Sequence, residues 1–428
     1  MGLQRNKNGF DTGGRTCSRK NLTALEEKSL PMKARLMPNL SRRSLSAHHA
    51  RPIRRLVAVV VNYHSAELTV RGVHSILTSD DAVSVDVVVV DNSTSSREAT
   101  LLKKTLPDSV HLVISPHNLG FGQACNMAWE KRPADALLLL NPDAYLTEHC
   151  LYHLVRALNM DPRVGAVGPK IYWDPKKQFL LPPSVPPSWI VMLSAADRLG
   201  DPAIPLLRFL GKKWRRYALG AWQASAPFPV KNLSGGSVLI RSDAIQDVGG
   251  LFDPEFFLYF EDTDLFRRMT RRGWRLLVEP QAAVVHEFDQ CGLESLPNKR
   301  QFMADSHAVF LRKHFSWYRR CLRWIPQGPR NQLERLTHGA SNRTYRGPFR
   351  IRVPEEMPKP WLFEWSPNVH FIPAAAAFGT GAYAEFSEDA FRRLAPGRYF
   401  GRIGPAAGFK PFKHLSFSFI VTERTSFV

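Results

Sequence analysis

Three short stretches place titratable side chains where chemistry can be done. In LLLLNPDAYL, residues 137–146, four leucines run straight into Asn141-Pro142-Asp143, so a carboxylate follows one of the chain's most apolar runs within three residues. An acid at the end of a buried strand can bind a divalent cation that holds a diphosphate, because Mg2+ and Mn2+ favour one or two carboxylates plus phosphate oxygens over a full protein cage. The same Asn-Pro-Asp also suits a turn that caps a helix beginning near Thr147. A second stretch, Tyr259-Phe260-Glu261-Asp262-Thr263-Asp264-Leu265, sets three carboxylates within four residues after an aromatic run. Mutual repulsion beside water-excluding rings raises proton affinity, as a general base requires. The alternative is an acidic helix N-terminus, stabilised by the helix dipole, with Leu265, Phe266 and Met269 facing the core. The third is His286 at the end of AAVVHE, either a ligand or a plain strand-end histidine. Gly120-Phe121-Gly122, after Asn118, has the look of a phosphate loop, but Cys125 stands where a dinucleotide fingerprint needs its third glycine.

These residues need elements to hold them. LVAVVV (56–61), VDVVVV (85–90), HLVI (111–114) and ALLLL (136–140) are short, continuously apolar runs of the kind buried on both faces of a sheet. Stretches of helical length, such as SAELTVRGVHSIL and GQACNMAWEKR, lie between them, so βαβ units and a mainly parallel sheet are expected. Asp91, Asn118 and Asp143 each fall just past a strand's carboxyl end, the edge where open α/β sheets bind ligands. Residues 174–229 break the rhythm with a proline-rich run and then LLRFLGKKWRRYALGAW. They are expected to form a partly helical insertion that lies on an anionic membrane or lines an acceptor groove, or else a covering helix with a solvated basic face. Sheet-and-helix patterning resumes with GGSVLIRSDAIQDVGG, the acidic stretch, RLLVEP and AAVVHE, and a basic amphipathic run closes the unit near residue 325. Residues 326–345 then read as a polar linker, and 346–428, with FRIRV, WLFEW, AYAEF, RYFGRI and LSFSFIV, as a small β-rich accessory domain.

The 428 residues are enough for more than one unit. Half of the formal charge of +20 sits in residues 1–55, which hold 13 Lys and Arg against three acids. That segment lacks apolar periodicity and reads as a disordered basic arm, not a signal peptide. No stretch reaches the ~18 apolar residues of a membrane span, so a cytoplasmic protein with peripheral contact at the inner face of the plasma membrane is expected. The five cysteines, Cys17, Cys125, Cys150, Cys291 and Cys321, are scattered and unpaired in spacing, which suits free thiols in a reducing compartment.

Taken in order, NYHSAEL, VVVVDNSTS, HNLGFGQACN, LLLLNPDA, SGGSVLIRSDA, GGLFDPEFFLYFEDTDLFRRMTRRGW and a strand ending in His resemble the family 2 glycosyltransferases of GT-A fold, particularly bacterial rhamnosyltransferase-like members. The resemblance covers roughly residues 56–315. It implies that Asn62 and Tyr63 border the nucleotide, that Asp91 accepts a hydrogen bond from its base, and that Asn118, Gly120, Phe121 and Asn126 shape the donor pocket. It implies that Asp143 is the last acid of a DxD-type metal element, written here with Asn141 in place of one carboxylate. Gly235 and Gly236 let the backbone approach the sugars, Asp262 matches the catalytic base with Glu261 beside it, and His286 matches a histidine serving the metal or the leaving diphosphate. Cys125 departs from the small polar residue of that pattern.

The expectation is therefore an inverting transferase, dependent on Mg2+ or Mn2+. It moves a sugar such as rhamnose from a nucleotide-diphosphate donor, dTDP-rhamnose or a UDP-sugar, onto a glycan or lipid-linked saccharide of the bacterial surface. Two other classes are weighed. A sugar nucleotidyltransferase would carry a glycine- and lysine-rich triphosphate loop after the first strand, but NYHSAELTVRG has one glycine and no lysine. A basic nucleic-acid-binding protein would explain the charge but not its concentration in the arm, and no base-reading module is present.

Overall fold

The computed structural model describes residues 52–79, 83–287, 296–322, 324, 327–330, 344–406 and 415–422. Most of the basic arm, most of the linker, Cys17 and Cys291 lie outside them. The four early apolar runs all become strands, because β-branched and leucine side chains fill both faces of a pleated layer. The chain forms β1 (Arg55–Asn62), α1 (Ala66–Leu77), β2 (Ser84–Asp91), α2 (Ser96–Thr105), β3 (His111–Ile114), α3 (Gly120–Glu130) and β4 (Ala136–Leu140). In the sheet these strands lie in the order β3-β2-β1-β4, all parallel.

The next elements are β5 (Ala144–Leu146), α4 (Cys150–Asn159), β6 (Val164–Tyr172), α5 (Pro187–Leu199), α6 (Ile204–Gln223), β7 (Phe228–Val230), β8 (Ser237–Arg241) and α7 (Ser242–Asp247). They are followed by α8 (Glu261–Arg272), β9 (Arg275–His286), α9 (Leu296–His314) and α10 (Ser316–Leu322). β8 inserts antiparallel between β4 and β6, and β9 runs parallel to β6, completing a nine-stranded sheet. RLLVEP and AAVVHE are thus one strand, with a slip in its pairing to β6 between Pro169 and Lys170.

Period-two alternation sorts the core onto two faces. Leu56, Ala58, Val60, Val87, Val89, Leu138 and Leu140 pack with α1, α2 and α4, while Val57, Val59, Val61, Val88, Val90, Leu137 and Leu139 pack with α3, α7 and α8. Each such side chain, fully buried, contributes roughly 1.5–3 kcal/mol. A one-residue slip would exchange the two sets, so the register is tightly specified.

The C-terminal region holds β10 (Thr344–Tyr345), β11 (Phe349–Arg352), β12 (Trp361–Ser366), β13 (Ala375–Gly379), β14 (Tyr383–Phe386), α11 (Glu388–Arg392), β15 (Gly397–Pro405) and β16 (Leu415–Val421). Five strands form one sheet, β10-β16-β15-β12-β13, and β11 pairs with β14. This region does not core itself alone. Phe179 of the 174–229 insertion lies 5.5 Å from Phe363, 6.1 Å from Trp365 and 4.9 Å from Phe386, ring centre to ring centre. Leu180 and Ala376 exchange backbone hydrogen bonds of 2.7 and 3.0 Å. Leu210, Trp214 and Trp222 of α6 pack with Leu362, Ile372 and Ala376. One face of the insertion is therefore a platform for the C-terminal sheet.

An ion cluster fastens the two parts. Glu364 of β12 is buried and receives Arg215 of α6 at 2.8 Å and Arg402 of β15 at 2.7 and 2.9 Å. Burial pushes its carboxyl up, but Arg402 and then Arg215 outweigh that and hold it below the usual glutamate value. The cluster is thus charged at neutral pH, and its contribution is lost as pH falls through the depressed value. Replacing Glu364 with Ala leaves two arginines facing each other without their carboxylate. Denaturant titration should show a loss of ~3–5 kcal/mol, the usual penalty for breaking a buried pair, and an unchanged stability would show that the cluster does not hold the platform.

Candidate active site

The site grows from the end of β4. Leu140 pairs with Ser237 of β8, and the Asn141 amide donates to the Gly236 carbonyl at 2.8 Å, so the antiparallel register carries Asn141-Pro142-Asp143 past Gly235-Gly236. β5 then pairs with β9, with Ala144 opposite His286. In consequence an Asp143 carboxylate oxygen lies 3.0 Å from His286 Nε2, and Asn141 Nδ2 lies 3.5 Å from the same nitrogen. Asp143 and His286 are 3% and 5% exposed. α4 begins only at Cys150 with His149 as its cap, so Asp143 does not serve as the helix cap that Asn-Pro-Asp also allowed. A Cβ added at Gly236 would stand 2.9 Å from both Asn141 Nδ2 and His286 Cε1, which makes this glycine a steric requirement of the cradle.

One carboxylate and one imidazole are ligands of the type that Mg2+ and Mn2+ accept when diphosphate oxygens complete the shell. Among the described residues no cluster of three protein ligands exists, so the donor set fits a cation shared with a substrate and does not fit a cation caged by protein alone.

On the other side of the glycine pair stands the N-terminus of α8. Tyr259 and Phe260 are consecutive non-glycine residues in the left-handed region, with φ of 71° and 66°. Each costs roughly 1–3 kcal/mol unless packing enforces it. The turn they make aims the half-buried Asp262 at Gly235: its Oδ2 accepts the Gly235 N–H at 2.8 Å, and its Oδ1 accepts the Thr263 N–H at 2.5 Å and the Thr263 hydroxyl at 3.1 Å. Burial raises the proton affinity of Asp262, and these donated hydrogen bonds offset only part of the rise.

The three acids have separate environments. Glu261 is buried beneath α3, and burial, with Asp262 second, pushes its carboxyl up to about 8. Its Oε2 has no hydrogen-bond partner among the described residues. Burial also raises the Cys125 thiol well above its ordinary value, with Glu261 adding to the effect. Asp264 instead binds Arg268 at 2.7 Å and His314 at 2.6 Å. Although its burial acts upward, His314 and Arg268 hold it low. Leu265, Phe266 and Met269 face the core as the helical spacing requires.

A hydrogen-bonded band crosses the ends of β1, β2 and β3. Asn62 Nδ2 donates to Asp91 Oδ1 at 3.0 Å and to Glu98 Oε2 at 3.1 Å, while its oxygen accepts from Ser65 and Thr69. Asn62 is thus fully occupied as scaffolding. Asp91 Oδ2, by contrast, is buried with no partner among the described residues, which suits an acceptor awaiting a donor N–H. Tyr63 is half-buried and packs edge-on to His64 at 4.7 Å. Asn92 donates to Asn118 at 2.8 Å, and Asn118 accepts the Gly120 N–H at 2.9 Å. Gly120 has φ 76°, and a Cβ there would meet the Phe257 carbonyl at 2.2 Å. Phe121 donates its N–H to that carbonyl at 3.1 Å, and Asn126 makes two hydrogen bonds to the Phe252 backbone, at 2.8 and 3.0 Å. Phe121 and Asn126 therefore hold the 252–257 loop that leads into α8.

Sequence reasoning gave no role to Glu98, Asn92, Asn232 and Thr263, and treated Asn141 only as a missing carboxylate. Glu98 had a signal: Ser95 and Glu98 have the spacing of a capping box, and Ser95 Oγ does accept the Glu98 N–H at 3.4 Å. The carboxylate is diverted to Asn62 and to the Ala66 N–H, at 3.0 Å, in the first turn of α1. Asn92 and Asn141 adjoin residues that had been singled out, and nothing local marks Asn232.

With that arrangement in view, the comparisons place the chain. Residues 54–324 match the family described as glycosyltransferase like family 2, and the chain belongs to that family. It is a glycosyltransferase. Among curated relatives, it is 30% identical over 264 residues to the N-acetylglucosaminyl-diphospho-decaprenol L-rhamnosyltransferase of Mycobacterium tuberculosis, over 57% of this chain and 80% of the relative. Solved structures of lower likeness include GalNAc-T7 with UDP, GalNAc and Mn2+ (TM-score 0.44, 16% identity, 67% of this chain and 54% of that one). A Pyrobaculum calidifontis mannosyltransferase with GDP-Man and Mn2+ gives TM-score 0.41 and 19% identity, over 62% of this chain and 67% of that one.

The elevated Glu261 gives a pH signature. A carboxyl that ionises near 8 when folded and near 4.5 when unfolded keeps its proton only in the folded state, so stability declines as pH rises across that interval. Glu261→Gln removes the titration without removing the shape. Its thermal midpoint relative to wild type should rise steadily from pH 5 to pH 8, and a constant difference would show that Glu261 is ionised throughout.

Proposed function

We propose that the protein is an inverting, metal-dependent hexosyltransferase that moves rhamnose from dTDP-rhamnose, or a related sugar from a UDP donor, to a lipid-linked saccharide in bacterial cell-surface polysaccharide synthesis. The observation that carries the reading is the convergence of Asp143 and His286 with Asp262 on the two sides of Gly235-Gly236. The relative in Mycobacterium tuberculosis, whose name specifies an N-acetylglucosaminyl-diphospho-decaprenol substrate and an L-rhamnosyl transfer, supports this choice of donor and acceptor.

Asp91 receives a base N–H through its open oxygen, and the backbone turn at Gly120 lies beside it for the rest of the nucleoside. Asp143 and His286 would hold the divalent cation, which when bound would offset the charge that grows on the departing diphosphate. Gly235 and Gly236, lacking side chains, let Asn141, His286 and Asp262 close in on the backbone that the sugar approaches. Asp262 takes the proton from the acceptor hydroxyl as that oxygen bonds to the anomeric carbon, and the bond to the diphosphate breaks with its electron pair leaving on the phosphate oxygen. Attack from the face opposite the diphosphate inverts the anomeric centre. A free aspartate, with pKa about 3.9, is a weak base for a hydroxyl. Burial strengthens Asp262, while Gly235 and Thr263 fix its orientation.

Membrane contact is assigned to the outer face of α6. Leu206 and Phe209 are exposed there beside Arg208, Lys212, Lys213 and Arg216, the composition of a helix lying on an anionic surface. No described helix is long and apolar enough to cross a membrane.

Two measurements test these readings. Asp262→Asn should lower kcat by ~10²–10⁴-fold, while thermal stabilisation by nucleotide sugar with Mg2+ or Mn2+ persists. Turnover at the wild-type rate would remove Asp262 as the base, and a panel in which no nucleotide sugar stabilises the protein would remove the transferase reading itself. For the membrane face, changing Lys212, Lys213 and Arg216 together to Gln should weaken sedimentation with anionic vesicles by about 1 kcal/mol for each residue. Equal binding would place the contact elsewhere.

A further inference from the structure

Between the glycosyltransferase core and the C-terminal sheet lies a chamber of about 430 Å³, inside the ~300–1,000 Å³ range of sites that bury small molecules. Its wall includes His286, Ser237 and Asn232 together with Trp222 of α6, Phe228 of β7 and Trp365 of β12. We propose that this chamber receives the apolar aglycone of the acceptor: a saccharide glycoside bearing an alkyl or isoprenoid chain, with its sugar at the His286 end and its chain against the aromatic wall. The inference rests on the transferase reading and adds the place where the acceptor's apolar chain lies, together with a role for the C-terminal sheet.

Three observations lead there. First, the chamber is continuous with the reacting centre. His286 belongs to both, and Asn232 donates at 3.2 Å to the Thr263 hydroxyl, which itself bonds Asp262. Second, Asn232 Oδ1 and Ser237 Oγ are buried with no hydrogen-bond partner among the described residues. Each such deficit costs ~1–3 kcal/mol, and both belong to residues of this wall, where sugar hydroxyls can relieve them. Third, the remaining wall is mainly aliphatic and aromatic, which suits an apolar chain and not the charged donor nucleotide. Its two cations are engaged: Lys170 donates to the Trp222 and Ala224 carbonyls at 3.0 and 3.2 Å, and Arg393 pairs with Glu287 at 2.8 Å. Trp365 lies beyond the segment that matches the family, so this half of the wall is a feature of this chain.

The test uses the full-length protein without donor. Methyl and octyl glycosides of N-acetylglucosamine, the octyl compound kept below its micelle-forming concentration, are titrated against tryptophan fluorescence. The octyl glycoside should bind at least ~10-fold more tightly than the methyl, since each buried methylene adds ~0.8 kcal/mol. Ala221→Phe and Ala375→Phe, which fill the chamber from α6 and from β13, should each erase the preference. Trp365→Phe keeps the wall apolar and should diminish the fluorescence response, which decides the location even if a filling variant fails to fold. Equal binding of the two glycosides by wild type overturns the proposal, as does a preference that survives in a folded filling variant or a response that Trp365→Phe leaves intact. The two readings fail separately. Turnover with equal KM for both glycosides keeps the transferase and removes the chamber, whereas a chamber-dependent octyl preference with no donor turned over keeps the chamber and removes the transferase.

Discussion

The site depends on one pairing, the antiparallel contact of β4 with β8. A parallel neighbour would have carried the chain after Leu140 away from any returning backbone. Because β8 runs the other way, Gly235 and Gly236 arrive beside Asn141 just as β4 ends, and the 2.8 Å bond from the Asn141 amide to the Gly236 carbonyl fixes how they meet. The absence of side chains at this point is a geometric condition. At Gly236 a methyl group would collide with Asn141 and His286, and at Gly235 it would stand 3.1 Å from the Asp262 Cβ. A stretch of backbone with nothing on it separates the two acidic centres and lets Asn141, His286 and Asp262 pack against it.

On the Asp262 side, environment divides labour among neighbours of the same chemical type. Asp264 is charged because Arg268 and His314 flank it, and it anchors α8 to α9. Glu261 points into the core beside Cys125, and burial favours its neutral form. Asp262 alone is half-buried and touches the glycine pair. A single helix start thus holds an anchor, a neutral spacer and an accessible acid, and the left-handed turn lies at Tyr259 and Phe260.

The sheet was legible because its strands are uniform: LVAVVV, VDVVVV and ALLLL admit few other structures, and their ends located Asp91 and Asp143. The acidic stretch was legible as a helix start through its spacing, with Leu265, Phe266 and Met269 in the core. What the sequence concealed were contacts between distant segments. β13 is largely a run of alanines, with little intrinsic strand preference, and it forms because β12 and Leu180 supply its partners. The dual use of the insertion was hidden for the same reason. Its leucines and tryptophans read as an amphipathic helix awaiting a surface, and only the fold shows that the C-terminal sheet is the surface for one face. Asn126 and Phe121, grouped by resemblance with the donor pocket, spend their hydrogen bonds on the 252–257 loop, a distinction that depends on rotamer and not on residue type.

α6 joins the two ends of the molecule's task. Its inner face carries Trp222 to the chamber and Arg215 to Glu364, and its outer face carries Phe209 and exposed basic side chains toward solvent. A helix of 20 residues fixed on both the core and the C-terminal sheet leaves little freedom between these faces. On the proposed reading, an amphiphilic acceptor drawn from a bilayer would keep its sugar near Asp262 while its chain stays out of water, and a helix with one face to each environment meets that demand without a moving part. The C-terminal sheet then acts as more than an appendage: by packing over Trp222 it covers an apolar helix flank that would otherwise face water.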